Sequence, residues 1–155
     1  MKNITMGMAL VLSVSQALFA GPSRPVAGGA AAAIADMEIA ANDLELDARD
    51  LDSFTGNINL HWRSHALKLV AIKDELREIA GRMRYLESRR ESLEPKELAT
   101  LDRAAPLLRA ATAAANGAIE HLNERQGLLW IEPYKSSAAK LADAAVRLVK
   151  LLREF

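Results

Sequence analysis

At 155 residues the chain has room for one domain with a substantial core and too little for two ordinary ones. Half of it is hydrophobic, mostly Ala and Leu, with few aromatic residues, and this balance favours helices over a sheet built from β-branched and aromatic side chains. Twenty basic residues balance twenty acidic ones, so no bulk charge points to nucleic acid, and the absence of cysteine excludes a disulfide framework, a thiol nucleophile and a lipid-attachment cysteine.

The first twenty residues, MKNITMGMALVLSVSQALFA, have Lys2, an apolar run from Met6 to Val14 and a more polar approach to Ala20. That is the layout of a secretory signal peptide over 1–20, with cleavage after Ala20 and a periplasmic or secreted destination. The alternative is an uncleaved anchor, but the run is short for spanning a bilayer, so membrane contact is not expected after cleavage. Residues 21–30, rich in Gly, Pro and Ala, read as a flexible leader, and 31–155 as the folded domain.

Four helical segments follow, each with apolar residues alternating by three and four. The first spans about 31 to 54 with the stripe Ile34, Met37, Ala41, Leu44, Ala48 and Leu51, and Gly56 is its expected stop. The second is expected over 58–92, on Ile58, Trp62, His65, Leu69, Ile72, Leu76, Ile79, Met83, Leu86, Arg90 and Leu93. Pro95 suits the first position of a third helix running to about Gln126 along Leu98, Leu101, Ala105, Leu108, Thr112, Ala115, Ile119 and Leu122. Pro106 inside it frees the Asp102 carbonyl and predicts a kink over 102–106, while the small residues of 110–118 allow another helix close approach. Pro133 opens a fourth helix carrying Tyr134, Ala138, Leu141, Ala145, Leu148, Leu152 and Phe155.

Short connections make sequential helices neighbours, so the expected fold is all-α, an antiparallel up-down-up-down four-helix bundle. The Gly and Pro breaks argue against one long coiled coil. Opposite the apolar stripe, Lys140, Arg147, Lys150 and Arg153 read as the solvated face of the last helix in preference to a membrane-surface helix.

With helices two and three turning near residue 93, His65 falls opposite Leu122 and within a turn of His121. The turn near Gly56 brings Asp47 to a similar height. His61, His65 and His121 thus gather at one pole with Trp62, Trp130, Phe54 and Tyr134, while the other pole, over 82–97, is mainly Arg and Glu. Two readings of the histidine pole follow. In one, His65 lies on the core stripe as a buried imidazole whose partner is Asp47, Tyr134 or a backbone carbonyl. In the other, His61 or His65 joins His121 and an acid to hold zinc, copper or haem, as facing helices of bundles can. The metalloprotease signature is not met, because Trp62 stands where H-E-x-x-H needs its glutamate. No nucleophile elbow, phosphate loop or calcium loop is present.

The segments Trp62 to Ala66 (W-x-S-H-A), the L-E-x-x-R stretch from Leu86, Asp102 to Leu108 (D-R-A-x-P-L-L), His121 to Asn123 and Trp130 to Tyr134 together resemble an uncharacterised family of exported bacterial helical-bundle proteins. The final element departs from the family's W-x-P-x-Y, reading Trp-Ile-Glu-Pro-Tyr. The resemblance covers about two thirds of the chain beyond Ala20 and implies export and a bundle, with no reaction attached. The sequence therefore predicts a non-enzymatic binding or structural module of the cell envelope, with no cofactor and with a protein or small-molecule partner; the alternative is a small metal- or haem-binding bundle.

Overall fold

The computed structural model describes residues 28–155, so the expected signal peptide and most of the leader lie outside the described residues. Four helices make up the domain: α1 over Ala30–Phe54, α2 over Trp62–Glu87, α3 over Pro95–Glu124 and α4 over Tyr134–Arg153. Each packs against its neighbour in sequence and α4 closes back on α1, giving the antiparallel four-helix bundle. Among the described residues no helix is long and apolar enough to cross a membrane.

The α1 stripe is buried along its whole length, from Ile34 through Leu51. Likewise in α4, Tyr134, Ala138, Leu141, Ala145, Leu148 and Leu152 are all buried. Where α3 meets α4 the side chains are small, and a Cβ added at Gly117 would come within 3.1 Å of the Ser137 hydroxyl. That is the close approach expected of 110–118. The inward edge of α3 is set by Ala104, Ala111 and Ala118, while Ala105 and Thr112 are only half-buried. α3 runs as one helix through Pro106, whose ring lies on the exposed side. Its start carries a capping box, in which the Glu94 amide donates to the Glu97 carboxylate at 2.9 Å while the Glu94 side chain accepts from the Glu97 amide.

α2 is shorter than the periodicity predicts at both ends. Ile58, expected on the core stripe, lies 65% exposed in the connection over 55–61. The Asn57 side chain accepts from the Asn59 amide there at 3.1 Å, a local turn that competes with helix. His61 then caps α2 by accepting the Arg63 amide at Nδ1, so the helix begins at Trp62. At the other end α2 stops at Glu87 and a 3₁₀ turn follows over Arg90–Ser92. Arg90 is therefore not a core position. Its guanidinium grips both oxygens of Asp102 at 2.8 and 3.0 Å and also reaches Glu87. Gly56 keeps a negative φ, since Thr55 ends α1 in right-handed geometry with its hydroxyl donating to the Asp52 carbonyl.

Candidate functional site

Tyr134, the first residue of α4, is the centre of the histidine pole. The Glu132 carboxylate accepts the Ser136 amide at 3.0 Å and so satisfies the first turn of α4, where Pro133 at the N-cap has no side-chain acceptor. Tyr134 is fully buried, and its hydroxyl shares a 3.0 Å hydrogen bond with Nδ1 of His65 on α2. The His65 ring stands edge-on to Tyr134 and to Phe54, both with centroids 5.5 Å away. His121, on α3, packs its ring 5.6 Å from Tyr134 on another side. Its Nε2 donates to the Leu128 carbonyl at 2.9 Å, which fixes the proton on that nitrogen and ties down the connection over 125–133.

Burial alone displaces the titrations here. It lowers the pKa of His65 below the ordinary 6.5 and pushes the Tyr134 phenol up, so at neutral pH both groups are uncharged. Of the three partners open to His65 (Asp47, Tyr134 or a backbone carbonyl), the tyrosine is the one it uses. Asp47 lies lower on α1 and pairs with Lys68 at 2.8 Å, raising the lysine's pKa chiefly through that hydrogen bond.

The remaining pole residues are set apart from this core triplet. His61 is exposed, its Nδ1 engaged as the α2 cap, with its ring 5.5 Å from that of Trp62. Trp62 packs half-buried against the core beneath the Arg63 guanidinium, and Trp130 sits 42% exposed. The structure thus brings His65, His121 and Tyr134 together and leaves His61, Trp130 and Asp47 outside the triplet. Among the described residues no group of three or more His, Asp or Glu is arranged to hold a metal ion.

Two features escaped the sequence reading. Along the α1–α2 seam, Lys68, Glu75 and Arg82 recur every seven residues and face Asp36, Asp43, Asp47 and Asp50. Lys68 pairs with Asp47 and Asp50, and the buried Arg82 pairs with Asp36 at 3.3 Å and with Glu78 at 3.5 Å. Glu75 is the wrong sign for its position. One of its carboxyl oxygens is buried with no hydrogen-bond partner, and desolvation, the charge of Asp47 and a hydrogen bond to Asp47 push its pKa up to about 8. The heptad spacing of Lys68, Glu75 and Arg82, and of Asp36, Asp43 and Asp50, is visible in the sequence and is the signal that reveals the seam.

The second feature is a groove of about 730 Å³ between α2 and α3, the neighbouring pair that packs least closely. Its floor is apolar, formed by Ala80, Met83, Leu101, Ala105 and Leu108. Arg84 and Arg109 stand on its two walls, and the Arg90–Asp102 clasp closes its lower end. Ala105 and Thr112, expected on the α3 core line, lie outward of it and line this groove, and nothing in the apolar rhythm marks the difference.

No protein family, no curated protein and no solved structure matches this chain.

Proposed function

We propose that this protein is an exported, non-enzymatic binding module of the cell envelope, and that the α2–α3 groove is its recognition surface. The observation that carries the reading is the groove itself: an apolar floor rimmed by charge, with a volume inside the roughly 300–1,000 Å³ typical of ligand sites. The fate of the pole's polar groups supports a non-enzymatic role. Nδ1 of His65, Nε2 of His121 and Nδ1 of His61 each serve a structural hydrogen bond. Export rests on the amino-terminal signal pattern.

The test is a capture experiment from the native envelope fraction, with wild-type protein and an Ala105→Leu variant that fills the groove. The variant's fold is checked by circular dichroism. Species retained by the wild type and lost by the folded variant are the expected result. Equal capture by both would remove the groove from the function.

A further inference from the structure

The groove's chemistry is uneven along its length, and the unevenness describes a ligand. Arg90, at the lower end, is satisfied by Asp102 and Glu87. Arg109, eight residues further along α3 from Leu101, lines the same groove and is exposed, with no carboxylate partner among the described residues. Arg84 lines the facing wall of α2. Between the level of Arg109 and the Arg90–Asp102 clasp the floor is Ala105, Leu108, Met83 and Leu101, a strip of roughly 12 Å at the helical rise. A cation above the middle of an apolar trough complements an anion joined to an apolar chain. The short side chains of Ala80 and Ala105 leave room over the floor of the trough, which an unbranched chain can fill.

We infer that the α2–α3 groove binds a single-chain amphiphile with an anionic head, its head group on Arg109 and its chain lying over Ala105, Met83 and Leu101 towards the Arg90–Asp102 clasp. This rests on the groove being the recognition surface and names the chemistry of its ligand. Guanidinium suits a carboxylate or phosphate head because it offers paired donors in one plane.

The probe is dodecanoate below its micelle-forming concentration, titrated into the purified protein and followed by calorimetry and amide NMR. Dodecanol and dodecyltrimethylammonium serve as neutral and cationic comparisons. Dodecanoate should move the amides of Ala80, Met83, Ala105 and Leu108 and saturate. Dodecanol should bind about tenfold more weakly, the factor that one charge-assisted contact carries. Arg109→Gln, a surface change that leaves the core alone, should bring dodecanoate down to the level of dodecanol, and Ala105→Leu should weaken both. Equal binding of all three probes to the wild type, or of dodecanoate to wild type and Arg109→Gln, overturns the inference. Binding of the wild type and Ala105→Leu alike to phosphatidylglycerol vesicles, without groove shifts from dodecanoate, would assign the surface to a bilayer instead and overturn it too. If dodecanoate leaves the groove amides unmoved while envelope capture still depends on Ala105, the ligand class is wrong and the groove reading survives.

Discussion

Removing the Tyr134 hydroxyl takes from Nδ1 of His65 its hydrogen-bond partner, in a buried ring packed against Phe54. Tyr134→Phe should therefore cost roughly 1–3 kcal/mol in denaturant unfolding, the cost of stranding one buried polar group. His65 also sets a pH dependence whose sign follows from its burial. Its folded pKa lies below 6.5, so the unfolded chain takes up the proton first. Its contribution to stability is complete above pH 6.5 and is lost as the pH falls through the folded value. An NMR titration should place the His65 midpoint below 6.5; a midpoint at or above that value would mean that the ring is solvated or paired with a carboxylate. The apolar stripe placed this residue correctly, because the same three-four rhythm that buries Leu69 and Ile72 carries His65 inward. Which partner it takes was not legible, since Tyr134 reaches it only through the register of α4 against α2.

Between elements, the α1–α2 seam holds the least comfortable group in the bundle. In the fold Glu75 keeps its proton until about pH 8, whereas in the unfolded chain it ionises near 4.5. Stability from this group is therefore full below pH 4.5 and lost as the pH rises through about 8. Glu75→Gln, which keeps a donor towards Asp47 and cannot ionise, should match the wild type at acid pH and exceed it above pH 8 in urea melts. Parallel curves at every pH would show that Glu75 is solvated. Deeper in the same helix, Leu76→Ala removes a buried side chain from the centre of the stripe and should cost roughly 2–5 kcal/mol. Lys73→Ala, on the half-exposed flank, should stay within about 0.5 kcal/mol, and equal losses would mean that the helix faces are misassigned. Apolar periodicity located all four helices because burial is what stabilises them. It overran α2 because Ile58, Arg90 and Leu93 happen to keep the rhythm, while a side-chain turn at Asn57 and an ion pair at Arg90 decide the local backbone. The groove was hidden for the opposite reason: alanine fits core and trough equally well, so only packing separates Ala104 from Ala105.

For the whole molecule, the proposed export makes one simple demand. If the first twenty residues act as a signal, the exported protein should begin at Gly21, which amino-terminal sequencing of material from the envelope fraction checks directly; a sequence beginning at Met1 would retain the apolar run as an anchor. The Tyr85 hydroxyl, near the end of α2, donates to the Gly28 carbonyl at 3.0 Å. That bond brings the chain into the bundle at the pole of Arg84, Glu87 and Arg90, away from Tyr134 and the histidines. The 25 residues of α1 then separate the point of entry from the aromatic pole by roughly 37 Å. Anything joined ahead of Gly28 would hold the molecule like a handle, with its two tryptophans at the far tip and the groove opening sideways along the shaft. A fluorophore placed at Trp130 and another near Gly28 would therefore report end-to-end length, and a label placed at Gly28 would leave the far tip unobstructed.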